Sequence, residues 1–122
     1  MKKILIVEDE ADIREMLKKR LSKAGYDALA ASDGPAGLEM CKAVRPDLLL
    51  LDIAMPGMDG YQICEKVKQD PEMRSTEVFF LTGKDLEPKG VIEHCQNLGA
   101  RGYIAKASTF EDLLAKVKEA IG

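Results

Sequence analysis

Residues 47–60 read DLLLLDIAMPGMDG, from Asp47 to Gly60. The run Leu48 to Leu51 is apolar at every position, so a strand built from it needs cover on both faces. It stops at Asp52, a carboxylate released from the core at a defined point. Pro56, Gly57 and the pair Asp59-Gly60 then break the chain before the next periodic segment. A buried strand that ends in an acid and leads to a helix is the repeating unit of an α/β sheet.

The same pattern recurs along the chain. Apolar runs lie at Ile4 to Val7, Ala28 to Ala31, Val78 to Leu81 and Tyr103 to Ala105. Helical periodicity fills the intervals. Ile13, Met16, Leu17 and Leu21 fall at helical spacing, and Gly25 stops that segment. Ser32-Asp33-Gly34-Pro35 opens a second helix that ends before Pro46. A third follows Asp59, which caps it, and carries Tyr61, Cys64 and Val67. The fourth has Pro88 near its start, then Val91, Ile92, Cys95 and Leu98, then Gly99. The fifth is expected to begin with a capping box from Ser108 to Glu111. Its inner face is Phe110, Leu113, Leu114, Val117 and Ile121. Such alternation predicts right-handed crossovers and one doubly wound parallel sheet, with residues 1–122 as a single domain.

The composition narrows the function. An apolar fraction of 46% and a charged fraction of 32% fit a soluble globular chain that buries a core. A net charge of -3 gives no footprint for nucleic acid or anionic lipid. No apolar run approaches the roughly 20 residues that span a bilayer. The run behind Lys2-Lys3 ends at Glu8, which reads as a strand and not as a signal peptide. Three cysteines, Cys41, Cys64 and Cys95, form no C-x-x-C pair and fall on apolar helix positions. Reduced core thiols in a cytoplasmic protein are the expectation.

Parallel strands bring their ends to one edge. Asp9, Asp52, Thr82 and Lys106 each sit at or just past such an end, where open α/β sheets bind ligands. Glu8, Asp9 and Glu10 repel one another there, and a divalent cation relieves that repulsion. Magnesium takes one or two carboxylates and keeps its water. Asp9 or Glu10 as a simple helix cap is the competing reading. The second acid, Asp52, favours the cation. Asp52 suits a metal ligand, a nucleophile, or both. An aspartate accepts a phosphoryl group as an acyl phosphate, a reaction governed by positioning and charge neutralisation. Lys106 supplies the charge and Thr82 a hydroxyl donor. The lone histidine, His94, excludes a serine–histidine pair of any plausible spacing and reads as a surface residue.

With these residues in place, the chain resembles the receiver domain of bacterial two-component response regulators from end to end. The resemblance rests on Ile4 to Glu10 (ILIVEDE), on Asp47 to Gly60, on Phe80-Leu81-Thr82-Gly83, and on Gly99 to Lys106 (GARGYIAK). It implies a flavodoxin-like fold with five strands in the order 2-1-3-4-5 and five helices. It also implies Asp52 as phosphoacceptor and a magnesium site at Asp9 and Asp52. Glu8 would act there through water and Ala54 through its backbone carbonyl. Thr82 and Lys106 resemble the phosphate-contacting pair, and Tyr103 the aromatic switch. The expected partners are a histidine kinase or phosphotransfer protein and a downstream protein. The latter would meet the face of the fourth helix, fifth strand and fifth helix, in a monomer or a phosphorylation-dependent dimer. Neither nucleic acid nor membrane is an expected partner.

The chain departs from the family after Lys106, where Ala107 replaces the usual proline. The Lys106–Ala107 bond is therefore expected to be trans, since a cis bond before a non-proline residue costs ~2.5 to 4 kcal/mol. Ala54, two residues past Asp52, has no side chain to orient an attacking water, and Lys84 is a candidate shield. An aspartate-nucleophile phosphatase is the rival enzyme reading, but it resembles such enzymes poorly, because they carry a second aspartate where Ala54 stands. A flavin-mononucleotide module would need a hydroxyl-rich phosphate loop where Glu8, Asp9 and Glu10 stand. The expectation is a switch, not an enzyme acting on outside substrates. Met16, Met55, Met58 and Met73 read as packing or loop residues, and Glu65 to Lys68 as a solvated helix face.

Overall fold

A computed structural model describes residues 1–83 and 86–122. The expected shielding by Lys84 lies outside the described residues. Strands β1 (Lys3–Val7), β2 (Asp27–Ala31), β3 (Leu48–Asp52), β4 (Glu77–Thr82) and β5 (Gly102–Ala105) alternate with five helices. These are α1 (Ala11–Lys23), α2 (Gly34–Val44), α3 (Gly60–Gln69), α4 (Pro88–Leu98) and α5 (Phe110–Ile121). The sheet is parallel, in the order β2-β1-β3-β4-β5, as the resemblance implied.

The pleat divides each apolar run between two cores. Ile4, Ile6, Leu48, Leu50, Phe79 and Leu81 join Leu17, Leu21, Leu113 and Val117 of α1 and α5. Leu5, Val7, Leu49, Leu51 and Phe80 join Cys41, Ile63, Cys64, Val67, Val91 and Cys95 of α2, α3 and α4. That double cover explains why β1 and β3 carry no polar alternation. All three cysteines are free and buried, as expected.

Local chemistry sets the helix ends. Asp59 and Gln62 form a reciprocal capping box on α3, with both bonds at 2.9 Å. Asp33 caps α2 by accepting from the Ala36 N–H at 2.8 Å. The α5 cap differs from the sequence reading. Thr109 caps it, accepting from the Asp112 N–H at 3.1 Å, while the Ser108 hydroxyl donates to the Ala105 carbonyl at 2.6 Å. Ser108 is diverted to close the turn after β5, so the cap falls one residue later. Met16 and Ile92, which fall at apolar helical spacing, are 41% and 42% exposed. Leu17 and Val91 beside them take the buried positions instead. Among the described residues no peptide bond is cis, so Lys106–Ala107 is trans as expected.

Candidate phosphoacceptor site

The carboxyl edge gathers the expected side chains. Asp52 closes β3 and is 1% exposed, and Glu8, which follows β1, is fully buried. Oxygens of Glu8, Asp9 and Asp52 lie within 4.8 Å of one another. Lys106, one residue past β5, reaches across the edge. Its Nζ lies 3.1 Å from Asp52 Oδ1, 2.9 Å from Glu8 Oε1 and 3.6 Å from Glu10 Oε1. The Lys106 N–H donates to the Thr82 carbonyl at 2.8 Å, which pins the turn after β5 to the end of β4. Thr82 is buried and, with Glu10, Gly83 and Lys106, borders a cavity of about 370 Å³.

Burial in a cluster of acids decides the charge states. Asp52 is pushed up to about 8, first by burial and then by the neighbouring Asp9 and Glu8, with Lys106 pulling the other way. Burial also acts upward on Asp9, but hydrogen bonding from Asp52 and Glu8 outweighs it and leaves Asp9 below its ordinary value. Lys106 is pulled down by burial, yet its bonds to Glu8 and Asp52 hold it above the ordinary lysine value. Asp52 Oδ2 is buried with no hydrogen-bond partner. An orphaned carboxylate oxygen is costly unless something outside the protein meets it. With Asp9 and Glu8 beside it, this is the donor set that a hard divalent cation takes. The residues fit magnesium.

Glu8 and Ala54 have contrasting surroundings. Glu8 is tied within the protein: Oε1 contacts Lys106, and Oε2 accepts from the Glu10 N–H at 3.1 Å. Ala54 is exposed in the bend after β3, two residues past Asp52. Tyr103 is half-buried on β5, with Phe80 as its register partner, and packs against the α2–α3–α4 side. Its carbonyl accepts from Lys116 Nζ at 3.1 Å, and the same ammonium lies 5.7 Å from its ring centre. His94 is exposed as expected, but not idle: it stacks on Tyr61 at 3.8 Å, and Tyr61 meets Phe80 edge-on at 5.1 Å.

Sequence reasoning missed Gly60. A Cβ there would collide with the Asp52 carbonyl and stand 2.9 Å from Ile53 Cα, so only glycine lets α3 start against the end of β3. The signal was the Asp59-Gly60 pair, which reads as a cap and conceals the close approach. Glu10 as a third partner of Lys106 was also missed.

Comparison with known proteins gives one consistent result. The family model described as the response regulator receiver domain matches residues 4–118. The chemotaxis protein CheY4 of Vibrio cholerae is similar at a TM-score of 0.91 and 28% identity, over 99% of each chain. The signal receiver domain of a signal transduction histidine kinase from Syntrophus aciditrophicus is 33% identical at a TM-score of 0.87, over 99% of this chain and 90% of its own. The N-terminal domain of a response regulator receiver protein from Methanoculleus marisnigri is 34% identical at a TM-score of 0.78, over 100% and 98% of the two chains.

Proposed function

The chain belongs to the response regulator receiver family, whose members are modules of two-component signalling and not enzymes in the usual sense, and from that premise we propose that Asp52 accepts a phosphoryl group from a histidine kinase or phosphotransfer protein. One observation carries the reading: a buried Asp52 with Oδ1 held at 3.1 Å by Lys106 and Oδ2 left without a partner. Lys106 fixes Oδ1 at 3.1 Å. The Asp52 oxygen that does not serve the cation attacks the phosphorus, the O–P bond forms, and the P–N bond to the donor imidazole breaks with its electron pair leaving on nitrogen. The protonated form that burial favours is wrong for this attack. Asp9, Asp52 and the Ala54 carbonyl, with Glu8 through water, would hold magnesium, which when bound would supply the charge that favours the carboxylate and neutralises the phosphoryl oxygens.

The phosphoryl group then offers acceptors to Lys106 and to the Thr82 hydroxyl. Movement of Thr82 frees space for Tyr103, a two-state element that phosphorylation biases. The responding face is α4, β5 and α5, and its reader is a protein or a second copy of the chain, in the cytoplasm. Among the described residues no helix is long and apolar enough to cross a membrane. Ala54 cannot orient a hydrolytic water, which supports a long-lived acyl phosphate. Intact-mass spectrometry with acetyl phosphate and magnesium tests the reading. One added phosphate is expected on the wild type and none on Asp52→Asn. Equal labelling of both removes Asp52 from the role.

A further inference from the structure

Arg14 lies on α1, outside every role assigned above. Its side chain is 19% exposed, although its only carboxylate contact among the described residues is with the exposed Glu15 at 3.8 Å. Arginine is seldom this buried without a stronger partner. The guanidinium is spent on backbone instead. Nη1 donates to the Glu8 carbonyl at 3.0 Å and reaches the Asp9 carbonyl at 3.4 Å. The Arg14 N–H donates to the Glu10 carbonyl at 3.0 Å. The Arg14 side chain thus holds the carbonyls of two consecutive acids, Glu8 and Asp9, while its N–H to the Glu10 carbonyl is the ordinary opening bond of the helix. The guanidinium fixes the backbone of Glu8 and Asp9, while Lys106 contacts the Glu8 carboxylate at 2.9 Å.

We infer that Arg14 is a positioning residue for the acid cluster, setting where the Glu8 and Asp9 carboxylates stand before a divalent cation arrives. The inference rests on the receiver reading and adds to it a group that touches neither phosphate nor metal. Without the clamp, three like charges on one loop spread apart, and binding must first gather them. Simple electrostatics makes the opposite forecast. A cation near a metal site repels the metal, so removing it should tighten binding. The sign of the effect separates the two.

Magnesium affinity is measured by amide-resolved NMR titration on the wild type, Arg14→Gln, Arg14→Lys and Asp9→Ala. Asp9→Ala, which loses a ligand, is the benchmark and is expected to weaken binding at least tenfold. Arg14→Gln removes the charge, and Arg14→Lys keeps it but loses the forked donor geometry. We expect Arg14→Gln to weaken binding at least fivefold and Arg14→Lys two- to threefold, with metal-free shift changes centred on Glu8 to Glu10. Saturating magnesium should restore the acetyl phosphate labelling rate of both. If Arg14→Gln fails to fold, Arg14→Lys carries the comparison. Wild-type affinity in Arg14→Lys, or tighter binding in Arg14→Gln, overturns the assignment to Arg14 and leaves the receiver reading standing. A wild type that binds no magnesium and takes no phosphate overturns the receiver reading itself, and the role of Arg14 with it.

Discussion

The carboxyl edge has a sealed half, where β1, β3 and β4 end, and a loose half at the edge strand β5. Ile4 to Glu8 and Leu48 to Ile53 are all buried. On β5, only Ile104 is buried; Gly102 and Tyr103 are half-exposed and Ala105 is exposed. β5 is also the shortest strand, four residues at the edge of the sheet. The sealed half holds the buried acids Glu8 and Asp52, where a rigid, dry wall raises the cost of any unmatched charge, and Asp9 and Glu10 stand exposed at its rim. The loose half holds Tyr103 and Lys106, with buried Thr82 at its border, and half-exposed Tyr103 has room for a second packing. Charge is fixed on one side and transmitted on the other, and Lys106 joins them.

The largest expected effect comes from cutting that join. Lys106→Met leaves buried Glu8 and Asp52 without their cation. Breaking a buried pair from one side costs about 3 kcal/mol or more. Urea denaturation without metal should show that loss, and a change under about 1 kcal/mol would mean that the sealed half does not depend on the loose half. Gly60→Ala probes the sealed half alone. Its Cβ must displace the Asp52 carbonyl or the start of α3. Overpacking of this kind costs about 1–3 kcal/mol. An unchanged urea midpoint would show that the wall yields.

A smaller effect appears in the pH profile of the metal-free protein. Asp52 is raised to about 8 in the folded chain from an ordinary 3.8. Between those values the folded state keeps a proton that the unfolded chain has released, so stability falls as pH rises through that window. Below the window the penalty is absent. Asp52→Asn should flatten this slope, and magnesium should reduce it by favouring the carboxylate. A wild-type slope of the opposite sign over pH 5 to 8 would show that Asp52 is ionised throughout.

The smallest effect belongs to the loose half. Beryllofluoride, a phosphoryl mimic, should shift Tyr103 and the α4 amides, and Thr82→Ala should shrink those shifts. Changes confined to the loops around Asp52 in both proteins would uncouple the halves.

The sealed half was the more legible in the sequence. Runs such as Leu48 to Leu51 admit one reading, because only a doubly covered strand stays apolar at every position. Asp9, Asp52, Thr82 and Lys106 followed from strand ends alone. What periodicity could not show were contacts across elements. The pairing of Glu8 with Lys106 spans β1 and β5, and the Gly60 approach depends on where α3 lands. The α5 cap shifted because Ser108 and Thr109 are chemically equivalent cappers, and only the turn after β5 decides between them. Met16 and Ile92 fit helical spacing, yet each borders the buried stripe without entering it.

Borohydride reduces an acyl phosphate to the alcohol, so a phosphorylated aspartate is read in a peptide map as homoserine. Applied after phosphorylation with magnesium, it should place homoserine at position 52 and nowhere else. Homoserine at position 9, or phosphate that survives borohydride on another residue type, would contradict the assignment of Asp52.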